Sequence, residues 1–333
     1  YQIIHDKGGF DVIIGNPPYV ALSKIEYSLK NYETVDANNL YNLAQERSLQ
    51  ISKDESYNGF IVMLNICFSK DYEIVRKCIV KRCSKVFISS FDNIPDGLFS
   101  SSGKEESKNT NKVVSQRVTI CIYKKEQNNQ IKEVLTSKFY RWNREFRNFL
   151  FEAISYSSII RPNPINWSAL SNDISVSIFN KLGNKSNQQL GVIISKSGNE
   201  FLQLGATPRY FISAVPFEMN RSGLIELRFN GLLQRLVAEC VLNSNLFYWY
   251  WRVSGDGFHL TKSTIQQMPI PASFVTDSNK LKILSKKLAD SKDLCTTQKL
   301  NKGKIVYNVN YNKVPSIIDE IDKVLAQHYG FTD

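Results

Sequence analysis

Histidine is scarce in this 333-residue chain, with three in all, and the six cysteines form no Cys-x-x-Cys pair. No spacing remains from which a zinc site could be built. No apolar run reaches the roughly 18 residues that spanning a bilayer needs. Tyr1 to Gly9 lacks the cationic start and apolar stretch of a secretion signal. Cys67, Cys78, Cys83, Cys121 and Cys240 sit mostly in apolar contexts, which fits reduced core thiols and a cytoplasmic setting. Nothing in the sequence points to a metal. What is present is 42% hydrophobic residues, ample for packed cores, over a length that suits two domains. The net charge of +11 is spread along the chain, +5 over residues 1–150 and +6 over 151–333. A polyanion gripped by both domains would produce that spread.

One segment stands out. Phe10-Asp11-Val12-Ile13-Ile14-Gly15 reads as a buried parallel strand, apolar on both faces. It runs into Asn16-Pro17-Pro18-Tyr19, where two prolines stop further ladder pairing. In an open α/β sheet the carboxyl end of a strand faces the crevice where ligands bind. An amide, two rigid carbonyl-bearing residues and an aromatic ring placed there suit the holding of a planar, amine-bearing base. The plain alternative is a proline-rich turn with Tyr19 in the core.

Residues 10–135 alternate strands and helices. Gly59 to Leu64, Val86 to Phe91 and Val118 to Tyr123 read as strands, Leu40 to Ile51 and Asp71 to Lys81 as helices. Ser100 to Lys112 reads as a solvated loop. Pro95-Asp96 followed by Glu106-Ser107-Lys108 matches an acidic-acidic-lysine nuclease pattern. Its second half falls in that loop, whereas such a site needs paired strands, and it is read as coincidence. Phe139 to Phe151 is aromatic and basic and reads as a linker helix between domains, with Arg141, Arg144 and Arg147 as possible backbone contacts for nucleic acid. Arg161-Pro162-Asn163-Pro164 marks a break.

The second domain opens with a helix at Asp173 to Leu182. A strand-and-turn region follows from Leu190 to Phe229. Its loops carry Lys196, Asn199, Arg209, Tyr210, Asn220 and Arg221, residue types that read base edges. Lys262 belongs with them as a further basic contact. Leu232 to Val241 has helical apolar spacing, and Phe247 to Trp251 reads as core rather than as a base-stacking platform. Asn279 to Asp293 is a basic helix, and a final helix from Ser316 ends at Gly330.

Phe10 to Tyr19 resembles motif IV of the amino-group DNA methyltransferases, in the Asn-Pro-Pro-Tyr form of adenine-N6 enzymes with gamma-type motif order. Asn39-Leu40-Tyr41 through Glu46-Arg47-Ser48-Leu49, Gly59 to Leu64, Phe91 to Phe99 and Gln116 to Tyr123 are similar to the later elements of that fold. Leu242 to Phe247, Gly255 to Leu260 and Met268-Pro269-Ile270-Pro271 resemble the target-recognition region of type IIG restriction–modification proteins. The resemblance covers residues 10–135 and 225–330. It implies an α/β architecture: the second half of a Rossmann-like methyltransferase sheet over residues 1–145, then an α+β target-recognition domain over 146–333.

The resemblance also implies a reaction, methyl transfer from S-adenosylmethionine to the exocyclic amine of a flipped adenine in double-stranded DNA. Asn16 and Pro17 would orient the amine, Pro18 would rigidify the turn, and Tyr19 would stack on the base. Asn16 would also lie near the cofactor methyl group. The glycine-rich cofactor motif should precede motif IV, so the sequence reads as the carboxy-terminal portion of a longer polypeptide, with any nuclease upstream. Val113-Val114-Ser115 stands where some relatives place a second stacking aromatic, which leaves Phe91 and Phe99 as candidates. Other readings share these features: a recognition module without activity of its own, a methylase of a BREX-like phage-defence system, and an RNA or protein amide methyltransferase.

Overall fold

The computed structural model describes residues 2–26, 28–93, 96–98, 117–129, 132–157, 165, 167–208, 210–276, 278–301 and 304–331. The chain divides into two compact units, Tyr1–Val176 and Ser177–Asp333.

In the first unit, α1 (Gln2–His5) is a single helical turn, and two glycines, Gly8 and Gly9, lead from it into the sheet. Gly9 has φ +120°, and a Cβ there would overlap the Ile51 carbonyl, so this entry into the sheet requires glycine. β1 (Phe10–Gly15) follows, then α2 (Leu40–Ile51), β2 (Ser52–Met63), α3 (Glu73–Arg82), β3 (Cys83–Phe91), β4 (Val118–Lys125) and β5 (Glu133–Tyr140). The five strands form one mixed sheet in the order β1-β2-β4-β3-β5. β1 is parallel to β2 and β3 to β5, while β4 lies antiparallel between β2 and β3. β1, β2, β3 and β5 therefore point the same way, and their carboxyl ends line one edge of the sheet.

Tyr41, Leu49, Val75 and Ile79 of the two longer helices share a core with Phe60, Val62, Val86, Ile88, Cys121 and Tyr123 of the strands. Each fully buried aliphatic side chain there contributes roughly 1.5–3 kcal/mol. Trp167, 1% exposed, joins the same core. The Thr136 hydroxyl on β5 donates to the Ser168 and Leu170 carbonyls at 2.8 and 3.0 Å. Residues beyond 145 thus pack with the first unit.

Two expectations are corrected. β1 is not buried on both faces: Val12 is 57% and Ile14 83% exposed. The strand sits at the sheet's edge with β2 as its sole strand partner among the described residues. Its apolar run shows what it could bury, not what covers it. Nor is Phe139 to Phe151 a linker helix. Phe139 and Tyr140 complete β5, because the ladder with β3 runs on to the Phe91–Tyr140 rung, and Arg144–Phe149 is a 3-10 stretch. Pro95, Phe99, the loop Ser100 to Lys112 with Glu106-Ser107-Lys108, Val113-Val114-Ser115 with Gln116, and Arg161 to Pro164 lie outside the described residues.

α4 (Asp173–Leu182) spans the point of division. Beyond it come β6 (Asn187–Gln189), β7 (Glu200–Gly205), β8 (Leu224–Phe229), α5 (Leu232–Leu242), α6 (Asn245–Ser254), α7 (Lys262–Gln266), β9 (Pro269–Pro271), α8 (Ser278–Asp290), α9 (Lys292–Cys295), β10 (Thr296–Asn301), β11 (Lys304–Val309) and α10 (Pro315–Tyr329). β7 pairs with β8, β6 with β9 and β10 with β11, all antiparallel. Leu236, Val237, Cys240 and Val241 of α5 are buried, as are Ile321, Val324 and Leu325 of α10. Phe247 and Trp251 of α6 are fully buried, in keeping with a core role. Gly330 closes α10 in the left-handed conformation, φ +67°. Among the described residues no helix is long and apolar enough to cross a membrane.

Candidate functional site

The strand β1 ends where Gly15 meets the Phe60 ring, which lies 3.0 Å from the place a Cβ would occupy. From there the chain leaves the sheet through Asn16-Pro17-Pro18-Tyr19. Pro17 is buried, Asn16 and Pro18 are exposed, and Tyr19 is half-buried. The Tyr19 hydroxyl donates to the Ile61 carbonyl on β2 at 3.0 Å, and the Tyr41 ring meets its ring edge-on at 5.7 Å. Burial, with a smaller effect from Cys121, pushes the Tyr19 phenol up to about 12, so it stays a neutral donor at ordinary pH. The ring is thus fixed at both ends, and only part of it meets solvent.

The Asn16 side chain and the Pro17 carbonyl have no hydrogen-bond partner among the described residues. Two acceptors therefore stand free at the carboxyl end of a strand, on a turn that proline stiffens and buried Pro17 anchors. The segment beyond the motif is also tied down. The Leu40 N–H donates to the Val20 carbonyl at 2.8 Å, and the Leu22 N–H to the Asn38 carbonyl at 3.3 Å. Glu46, on α2 and 2% exposed, accepts from the Glu33 and Thr34 backbone N–H groups and from the Thr34 hydroxyl. The loop that follows the motif is clamped to the helix that follows the loop.

Sequence reasoning missed a charged group on the same edge of the sheet. Asp92 directly follows β3 and is 1% exposed at its side chain. Its two oxygens accept from the Arg117 Nε at 2.9 Å and the Arg141 Nε at 3.1 Å. Arg117 immediately precedes β4, and Arg141 immediately follows β5. An aspartate at a strand's end was the available signal, but its partners are set by the sheet order. Phe91, a candidate second stacking ring, is fully buried and faces Tyr140 at 6.3 Å. It offers no surface to a base.

The remaining expected contacts fall in different places. Arg141 spends one donor on Asp92, with its side chain 48% exposed, and Arg144 opens the 3-10 stretch. Lys196, Asn199, Tyr210, Asn220 and Lys262 are exposed; Arg209 lies outside the described residues. Lys196 and Asn199 flank Gly198 before β7, where a Cβ would overlap the Phe229 carbonyl. Tyr210, Asn220 and Arg221 lie at the opposite end of the β7–β8 hairpin, a strand length of roughly 17–20 Å away. Lys262 belongs with the second group, because the nearby Leu260 N–H donates to the Ala206 carbonyl at 2.8 Å. Tyr210 and Arg221 line one recess of about 190 Å³. The expected recognition segment is therefore two clusters.

Among solved structures, the chain is similar to a protein from Listeria monocytogenes described as a class I S-adenosylmethionine-dependent methyltransferase, with 18% identity, 39% of this chain, 37% of that one and a TM-score of 0.26. A nuclease-deletion mutant of the Type ISP restriction-modification enzyme LlaGI, solved with a DNA substrate mimic, matches at 11% identity over 84% of this chain and 35% of its own, TM-score 0.42. The type IIG restriction endonuclease BpuSI matches at 11% identity over 96% and 54%, TM-score 0.32. The chain spans less than two thirds of the length of each of these proteins. No curated protein matches the sequence. Residues 1–95, which carry the Asn16–Tyr19 turn, the clamped loop and both longer helices of the first unit, match the family model of the Eco57I restriction-modification methylases.

Proposed function

We propose that this chain carries the base-binding half of an adenine-N6 DNA methyltransferase together with a DNA target-recognition domain, as part of a restriction–modification protein. The observation that carries the reading is the pair of unpartnered acceptors, the Asn16 amide oxygen and the Pro17 carbonyl, at the carboxyl end of β1. The family match over residues 1–95 supports it.

The exocyclic nitrogen of adenine is conjugated with its ring and is a poor nucleophile until it pyramidalises. Acceptors aimed at its two hydrogens favour that geometry and free the lone pair. Asn16 is not a general base, since an amide does not titrate in water, and its effect is positional and electrostatic. The proton leaves during or after methyl transfer. Pro17 and Pro18 hold the turn in place, so little ordering accompanies arrival of the base. Tyr19, fixed by its hydroxyl on Ile61, supplies the surface against which an extruded base rests.

S-adenosylmethionine supplies an electrophilic methyl group when bound. Asn16 is the residue of this chain that would lie near that methyl group. The open edge of β1, with Val12 and Ile14 exposed, is where further strands would complete the sheet and hold the rest of the cofactor. Binding to double-stranded DNA is assigned to the second unit.

The test is methyl transfer from labelled S-adenosylmethionine to duplex DNA by the polypeptide that contains residues 1–333, with the product read as N6-methyladenine by mass spectrometry. Asn16→Ala should lower transfer by about 10²- to 10³-fold, the loss typical of one preorganised polar partner, with DNA affinity nearly intact. Equal loss of transfer and affinity would make Asn16 a structural residue. Transfer to RNA or protein but not duplex DNA would replace the substrate assignment.

A further inference from the structure

Arg221 differs from the other basic residues of the second unit in how it is held. Its Nη1 donates to the Asn308 side-chain oxygen on β11 at 2.6 Å. Its guanidinium lies over Gly205, with Nη2, Nη1 and Cζ 3.4, 3.6 and 3.7 Å from where a Cβ would stand. The missing side chain of Gly205 leaves the room that the guanidinium occupies at the end of β7. Arg221 has no ion-pair partner among the described residues, and its Nη2 makes no hydrogen bond there. A guanidinium so placed keeps both Nη2 N–H groups and the second Nη1 N–H unspent.

Arg221 lines the recess of about 190 Å³, with Thr207, Tyr210, Ser213 and Met219 around it. The wall is fastened from behind. The Asn243 side chain donates to the Ala214 carbonyl and accepts from the Ala214 N–H, both at 2.9 Å, and the Ser213 hydroxyl oxygen accepts from the Tyr311 N–H at 3.1 Å. The loop's ends close on each other through the Ala206 N–H and the Gly223 carbonyl at 2.8 Å. Anchors from the residue that ends α5, from β11 and from the residues after it thus fix both the loop and the arginine. A group immobilised before binding loses little entropy when it binds. The volume is below the roughly 300–1,000 Å³ of pockets that enclose a whole small ligand. It suits the edge of one planar group with adjacent acceptors.

Resting on the target-recognition reading above, we propose that Arg221, prepositioned by Asn308 and Gly205, reads a single guanine of the DNA target through its O6 and N7 acceptors. An Arg fork matches that pair of acceptors in the major groove, and neither adenine nor the pyrimidines present it. Phosphate oxygens would also satisfy a guanidinium, but they carry no sequence information, so sequence dependence separates the two.

The experiment passes the polypeptide that contains residues 1–333 over a duplex library with randomised central positions and sequences what is retained. The wild-type polypeptide should enrich a motif with at least one fixed guanine. Arg221→Ala should lower the preference for that guanine by about 5- to 150-fold, the worth of a bidentate pair, and Arg221→Lys should lower it by less but measurably, both leaving the other positions unchanged. Lysine keeps the charge but not the fork, so Arg221→Lys should retain overall affinity. Asn308→Ala, which frees the guanidinium without removing it, should weaken the same position to a smaller extent. Thermal melts of each variant confirm folding. A motif unchanged in both Arg221 variants overturns the proposal, as does equal loss for every sequence with full rescue by lysine, the signature of a phosphate contact. A wild-type chain that enriches no sequence overturns the target-recognition reading itself, which separates the two failures.

Discussion

The hydroxyl of Tyr19 reaches 42 residues along the chain to the Ile61 carbonyl, and removing it isolates its share in holding the turn. Tyr19→Phe should cost about 1 kcal/mol in urea denaturation, the net worth of one intramolecular hydrogen bond. It should also lower the proposed methyl transfer under conditions where the variant is fully folded, because the ring is then freer to tilt. Gly15→Ala presses a methyl against the Phe60 ring, already 3.0 Å from that point. Overpacking of this kind costs about 1–3 kcal/mol, and the displaced backbone carries Asn16 with it. The place of the Asn-Pro-Pro-Tyr turn at the end of a strand was legible in the sequence because its residues are contiguous. The Asp92 group was not, since its arginines lie 25 and 49 residues away and meet it through a strand order that no local pattern reveals. Arg221 was singled out as a residue type, but Asn308, which positions it from 87 residues away, left no trace.

Elements with a strong local signature were readable. α5 and α10 bury most of the stripes their apolar spacing describes, with Leu232 at the start of α5 left exposed, and Ser244 caps α6 by accepting from the Phe247 N–H at 3.0 Å. Ser244→Ala should destabilise the second unit by about 1 kcal/mol, seen as a lower melting temperature with the β7–β8 recess intact. The stretch after Phe139 was misread because its aromatic residues announce burial without announcing backbone shape. The shape comes from β3, whose ladder holds Phe139 and Tyr140 extended. β1 failed differently: its secondary structure and direction were right, and its surroundings were not. Val12 and Ile14 project from the same face of the strand, and an element packed on that face would have hidden them.

At the scale of the molecule, burial sets an alkaline limit on stability. Desolvation pushes Cys78, Cys83 and Cys121 from the ordinary 9 up to about 12, and Tyr19 and Tyr250 from 10 to about 12. Below the unfolded values both states keep these protons, and the contribution to stability is complete. As pH rises from 9 toward 12 the unfolded chain releases them first, and stability is lost. The urea midpoint should hold up to about pH 8 and fall by about pH 11; a midpoint flat across that range would contradict this. The same burial should make all six free thiols slow to react with an aromatic disulfide until denaturant is added. The uncovered margin of β1 has a practical outcome for anyone handling the purified chain. Backbone donors and acceptors flanked by two bare aliphatic side chains let one molecule zip onto the next. Concentrated samples should scatter light in proportion, and Ile14→Lys should clear them without shifting the melting temperature.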